Sequence, residues 1–391
     1  MISLRAFTAL LVLATGCTAP SPTALPSTAA PQRIPSTAPA VANWAPWPSA
    51  LHDARHSGAS TAAGPREGVV RWRRDLEGAV TPGPVVGADG TVYASSNGGV
   101  LHALDPDTGA DRWTYDSGAT GGGDLSVSPL VLPDGTILFP TPGNEVVALS
   151  PSGAQLWSVR LNGTPTSPVT VDGKRVYVGD TVGTVAALDA DTGRAVWTVD
   201  VGERSYASVV TDGTGRVYTT VDSALVAVDD GGVIAWRADP DDQITEVSPG
   251  LAADGTVLLG TNGTREWAYR RDGSPAWQAP RFITYSSPSV TADGLAYLGD
   301  HAGRVLVFDV RTGEKLEEYG PAGGLIWTSI VIDRDHHVYF GGQDGHVYGY
   351  APRGERLFDV DVGGPVDSYP ALTADGVLVV GSRNGVLTAI A

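Results

Sequence analysis

The sequence predicts an all-β protein, an eight-bladed β-propeller of four-stranded antiparallel blades, and three observations carry that prediction. A strand marked by one aromatic or aliphatic anchor recurs at Tyr93, Leu138, Tyr177, Tyr218, Leu258, Tyr297, Tyr339 and Val379, at spacings of 39 to 45 residues. A period near 40 that holds four short strands is one propeller blade. The third observation is register. The eighth copy ends after three strands at Ala391, while an orphan fourth strand, Gly68-Val-Val-Arg-Trp72, precedes the first copy. The N-terminal strand is therefore expected to complete the last blade and close the ring, which leaves no open edge between first and last blades.

Each copy reads in the same order. An inner strand follows a Ser-Pro pattern (Ser128-Pro129, Ser167-Pro168, Ser248-Pro249, Ser287-Pro288), and a second strand follows an Asp-Gly turn such as Asp89-Gly90 or Asp254-Gly255. A third follows, such as Val100–Leu104, and the fourth carries Trp. Glycine or proline interrupts every window, so no helical 3.6-residue apolar period is sustained and a helical solenoid is excluded. The fourth strand is set by Gly-x-x-x-Trp: Gly68/Trp72, Gly109/Trp113, Gly153/Trp157, Gly193/Trp197, Gly232/Trp236 and Gly273/Trp277, with departures at Gly313/Glu317 and Gly354/Phe358. The glycine suits a turn that needs positive φ. The regular spacing assigns Trp72, Trp113, Trp157, Trp197, Trp236, Trp277 and Phe358 to docking between blades, in preference to a stacking platform for a ligand.

Composition narrows the function. The chain has 391 residues, is 42% hydrophobic and only 18% charged, and carries a net charge of −17. Enough apolar material exists for a sizeable core, and the charge opposes binding to nucleic acid or anionic lipid. A single cysteine excludes disulfides within the chain and cysteine-cluster metal sites. Gly-x-Ser-x-Gly, His-Glu-x-x-His and P-loop motifs are absent from the sequence. His336-His337 reads as a solvated turn, because neighbours in a strand face opposite ways. The acidic run Asp105 to Asp111 lacks EF-hand spacing and reads as turns of the Asx type.

Three regions are expected. Residues 1–16 form a signal peptide, with Arg5 before a nine-residue apolar stretch, 6–14, too short to span a bilayer. Ala14-Thr15-Gly16-Cys17 resembles the bacterial lipobox, which implies lipid attachment at Cys17. Residues 17–43 form a tether rich in Pro, Ala, Ser and Thr, with six prolines and one charge, Arg33, after Cys17. Extended at about 3.1 Å per residue, it reaches roughly 80 Å. Residues 44–391 form the propeller. The expected location is extracytoplasmic, with the membrane engaged through the lipid alone.

The runs Ala103-Leu-Asp-Pro-Asp-Thr-Gly-Ala-Asp-Arg-Trp113 and Ala187-Leu-Asp-Ala-Asp-Thr-Gly-Arg-Ala-Val-Trp197 resemble the tryptophan-docking repeat of the pyrroloquinoline-quinone-type (PQQ-like) eight-bladed propellers. The lead-in from Trp47 through Asp53 and His56 to Gly58 is similar to the segment that opens many of them. The resemblance implies either a quinoprotein dehydrogenase or a non-enzymatic member, such as the lipoprotein that assists outer-membrane protein assembly or the sensor domains of bacterial kinases. A dehydrogenase would imply PQQ, Ca²⁺ and an Asp base, and no residue here matches that set one by one. The expectation is therefore a monomeric, non-catalytic scaffold for a protein or peptide, with no cofactor. The alternatives are a PQQ-dependent oxidoreductase of alcohols or sugars and a carbohydrate or cell-wall binder, the latter drawing on Trp267 and Trp327.

Candidate contact residues lie in the loops that enter the inner strands and in those between second and third strands. Asp124, Arg204, Glu246, Tyr285, Trp327 and Asp367 are the chief candidates, with Arg265 and His301 beside them, because they do not recur from blade to blade. Trp327 stands out as an indole outside the docking position.

Overall fold

In the computed structural model the chain divides into two units, residues 1–33 and 34–391. The structure describes residues 44–119, 127–202, 207–221, 224–240, 244, 247–261, 265–279 and 284–391. Cys17, Asp124, Arg204 and Glu246 lie outside them, as do the signal peptide and tether.

Among the described residues the secondary structure is entirely β: thirty-two strands in eight four-stranded antiparallel sheets. Blades 1 to 7 span 85–116, 130–160, 170–200, 210–238, 250–278, 289–319 and 331–361. Blade 8 takes three strands from 371–390 and its fourth, Val70–Asp75, from the other end of the chain. Trp72 pairs with Ala389 and Asp75 with Val386, so the N-terminal strand closes the ring. Clusters of buried Val, Leu, Ile and Tyr lie between neighbouring sheets.

The tryptophans and glycines of the repeat meet across blades. Trp72 packs on Gly109, Trp113 on Gly153, Trp157 on Gly193, Trp197 on Gly232, Trp236 on Gly273 and Trp277 on Gly313. Each of these glycines has positive φ, and a Cβ there would sit 2.5 to 2.8 Å from the indole of the preceding blade. Glycine is thus required twice, by the backbone and by the ring above it. The indole Nε1 then donates to the next blade's turn: Trp72 to Pro106 O at 2.8 Å, Trp236 to Arg271 O at 3.0 Å. Where Glu317 replaces the indole, Tyr319 faces Gly354 instead and donates its hydroxyl to Glu317. Phe358 covers Gly68 and completes the circuit.

The lead-in runs along the far ends of the first strands. Carbonyls of Trp47, Pro48, Ala54, Arg55, His56 and Gly58 accept backbone N–H groups of Val86, Val131, Thr211, Leu251, Val290 and Ile332, in blades 1, 2, 4, 5, 6 and 7. These twelve residues of chain therefore tie six blades at one end of the ring. His56, with φ of 60°, is 3% exposed and donates Nδ1–H to Pro249 O at 3.0 Å. Burial pushes its imidazole down to about 4, against the pull of Pro249 O and Asp53. Burial raises the Asp53 carboxyl, but hydrogen bonds and charge from His52 and Ser57 outweigh it and leave it near 2.

Candidate functional site

The opposite end of the first strands carries the candidate site. Tyr285, Trp327 and Asp367 occupy one equivalent position in blades 6, 7 and 8, two residues before Ser287, Ser329 and Tyr369, at the entrance to the first strand. His301, Gln343 and Arg383 occupy the equivalent turn position between second and third strands of the same blades. The two sets interlock. Tyr285 stacks on His301 with ring centroids 4.7 Å apart, and meets Trp327 edge-on at 5.7 Å. The Arg383 guanidinium lies 5.8 Å from the Trp327 ring centroid. Its Nε–H donates to Asp367, whose other oxygen accepts from Gln343 Nε2. Blade 1 shows a weaker form of the same relation, Thr81 Oγ1 donating to Asn97 at 3.0 Å.

Three of the six predicted contact residues, and His301, thus form one continuous cluster across three blades. Arg265 stands apart, its guanidinium donating to Gln278 at 2.8 Å. Gln343 and Arg383 were not singled out by sequence, although their place in the repeat, next to His301's, was available as a signal. Trp327 Nε1 and His301 Nε2 are buried atoms without a hydrogen-bond partner. Burial holds the His301 imidazole below its ordinary value, with Asp300 pulling the other way. The cluster therefore offers neutral rings and one Arg383–Asp367 ion pair, in which the carboxylate is fully hydrogen-bonded and the guanidinium is engaged only through Nε.

A second departure lies beside it. Leu259 pairs with Trp267, and one step further in the same register Glu266 stands opposite Gly260. The other seven blades fill this position with Leu101, Val146, Val185, Leu225, Val305, Val347 and Leu387, all fully buried. Glu266 is likewise 0% exposed, and neither carboxyl oxygen has a hydrogen-bond partner. A Cβ on Gly260 would lie 3.2 Å from Val247, 3.1 Å from Thr284 and 3.6 Å from the Glu266 carboxyl. Burial alone pushes that carboxyl well above its ordinary value, so it is held as the neutral acid. The signal was present in sequence: the position falls eight residues after the anchor in every blade but the fourth, where it falls seven after.

The residues at the cluster do not suit a hard cation, which needs several oxygen ligands; they supply rings, an arginine and one carboxylate already taken. The grouping of Asp333, Asp335 and His337 is at the other end of its blade, and Arg66 bridges both carboxylates at 3.1 and 3.0 Å. His336 and His337 lie in the connection between the first and second strands of blade 7, but half-buried and not fully solvated, with His337 Nδ1 3.2 Å from Asp333.

The family signature described as outer membrane protein assembly factor BamB matches residues 57–139 and 142–323. The chain belongs to this family. Within it, BamB of Yersinia pestis is 25% identical over 318 residues, covering 76% of this chain and 70% of that protein. The serine/threonine-protein kinase AfsK of Streptomyces griseus is 36% identical over 153 residues, 37% of this chain, but the match spans only 18% of the kinase. Among solved structures, BamB of Moraxella catarrhalis superposes with a TM-score of 0.67 at 19% identity, over 82% of this chain and 99% of that one. Quinohemoprotein alcohol dehydrogenase of Comamonas testosteroni reaches 0.70 at 16% identity, over 90% and 81%. At such identities the two superpositions show the propeller fold alone.

Proposed function

We propose that this BamB-family chain is a non-catalytic, extracytoplasmic scaffold, tethered to a membrane by lipid on Cys17, that binds a protein partner through the mouth of blades 6 to 8. The cluster of Tyr285, His301, Trp327, Arg383, Asp367 and Gln343 carries this reading, because it is where the repeat is broken in three adjacent blades at one place. Its physical virtue is rigidity: side chains already fixed against one another on a closed ring lose little conformational entropy when a partner docks. The family match supports an assembly role, and the absence of a cofactor remains part of the proposal. The neutralised carboxylate and aromatic lining favour this reading over calcium-dependent quinone chemistry.

A photo-crosslinking side chain placed at position 327 of the full-length protein in its own membrane tests the reading. It is expected to capture a discrete protein partner, while the same group at Gly173, a turn with open space around it, captures none. Absence of any adduct at 327 sinks the mouth assignment. Calorimetric titration with PQQ and Ca²⁺ is expected to give no heat; tight calcium-dependent binding with dye-linked alcohol oxidation would replace the scaffold with an enzyme. Mass spectrometry of the mature N-terminus tests lipid at Cys17.

A further inference from the structure

We infer that Arg383 anchors a carboxylate at this mouth, and that the site takes an extended peptide presenting a carboxylate next to an aromatic side chain, most simply a C-terminal aromatic residue. The inference rests on the mouth being a peptide-binding face, and adds to it what the peptide must carry.

The argument starts from how Arg383 is held. Its side chain makes one ion pair, through Nε to Asp367, and lies over the Trp327 ring. The Nη edge makes no hydrogen bond to any described residue, and the side chain is 46% exposed. Compare Arg304 two blades away: its Nε and Nη2 both reach Asp300, at 2.8 and 2.6 Å, and Nη1 reaches Glu318, so every edge is used. A guanidinium fixed on one edge by a carboxylate and on one face by an indole has lost most of its rotamer freedom in advance. What remains is the planar two-donor fork that fits a carboxylate in bidentate fashion.

Charge makes the assignment specific. On a chain of net charge −17, a pre-positioned guanidinium with a free fork is a local exception to the field: Asp367 offsets its charge but binds it only through Nε, with its second oxygen taken by Gln343, so the Nη donors stay available to a ligand. Beside the fork stand Tyr285 and Trp327, inclined at 65° to each other, an arrangement that receives a third ring by edge-to-face or offset contact. Trp327 Nε1, left without an acceptor inside the protein, is a further donor for a peptide carbonyl once the indole adjusts. Carboxylate, carbonyl and ring at this spacing describe the end of a peptide.

The probe is the pentapeptide GGSTF as free acid and as C-terminal amide, titrated into the full-length protein in detergent and followed by tryptophan fluorescence. The acid is expected to bind at least about tenfold more tightly than the amide, the difference made by one charge-assisted bidentate pair. Arg383→Gln, which keeps an N–H donor near the Nε position toward Asp367 and removes the fork and its charge, is expected to erase the difference. Asp367→Asn, which loosens the positioning of Arg383, is expected to reduce it several-fold. Equal binding of acid and amide, or a preference that survives Arg383→Gln, overturns the inference. If both peptides bind equally and Trp327→Ala abolishes both, the peptide-binding mouth stands without its carboxylate anchor. If neither peptide binds, the inference falls, and crosslinking at 327 then decides whether the broader reading falls with it. Arg383-dependent binding of oligogalacturonate in place of either peptide also overturns it, in favour of an acidic glycan.

Discussion

Glu266 occupies the place that Val305 fills in the next blade, and both side chains are fully excluded from water. The neighbours follow suit. Thr284 stands against Gly260 where Ile326 stands against Gly299 and Val366 against Gly341, so this blade junction is polar where the next two are apolar. A carboxyl without a partner in such a setting stays protonated in the folded state and ionises in the unfolded one.

The consequence for stability has a definite sign. Because folding raises the Glu266 carboxyl, its contribution is fully present below the ordinary glutamate value of 4.5 and is lost as pH rises toward the folded-state value. Over that window the unfolded state binds one proton fewer, which lowers stability by about 1.4 kcal/mol per pH unit. Glu266→Leu, matching Leu101, Leu225 and Leu387 in other blades, is expected to remove this decline and to be the more stable protein at pH 7. Urea melts of both proteins from pH 5 to pH 8 check it; parallel curves would mean that Glu266 is ionised and paired.

His56 acts in the opposite sense. Its folded value near 4 lies below the ordinary 6.5, so the unfolded state binds one proton more between those limits and stability falls as pH drops through them. From pH 7 to pH 5 the loss is about 2 kcal/mol. His56→Asn keeps an N–H donor toward Pro249 O and suits the left-handed backbone at φ of 60°, so it is expected to fold and to lose this acid sensitivity. Above pH 4.5 the two groups work against each other in the native protein, which is therefore expected to be flatter there than either variant. Each single variant should unmask the other slope, and a native-like flat curve in either variant would contradict the assignment.

Much of the fold was legible in the sequence because a propeller repeats its solution. The anchors, the Gly-x-x-x-Trp spacing and the orphan strand before copy one sufficed for eight blades and for closure by Val70–Asp75. What the repeat does not encode is contact between blades at places where it is broken. Tyr285, Trp327 and Asp367 were visible as exceptions, but that they share a position and are joined through His301, Arg383 and Gln343 follows from the ring, which sets residues 40 apart side by side. Glu266 escaped notice for a simpler reason: an acid in a loop looks solvated until its register shows it in an aliphatic seat. The lead-in was recognisable by resemblance alone, since its work is done by backbone carbonyls that leave no trace in side-chain pattern.

The docking pair gives a prediction with an internal control. Gly193 has φ of 70°, and a Cβ there would lie 2.5 Å from Trp157 Cε3; Gly173 has φ of 58°, and nothing lies within 4 Å of its Cβ position. Alanine at both sites meets the same backbone penalty, about 1 kcal/mol for a left-handed residue. Only Gly193→Ala must also push an indole off the neighbouring blade, which adds overpacking of about 1 to 3 kcal/mol. The excess cost of Gly193→Ala over Gly173→Ala therefore measures interblade docking. It should shrink toward zero in a Trp157→Ala background, where the added methyl meets empty space. Chemical denaturation of the four proteins gives the coupling directly, and an excess that persists without the indole would place the constraint in the turn itself and not between the blades.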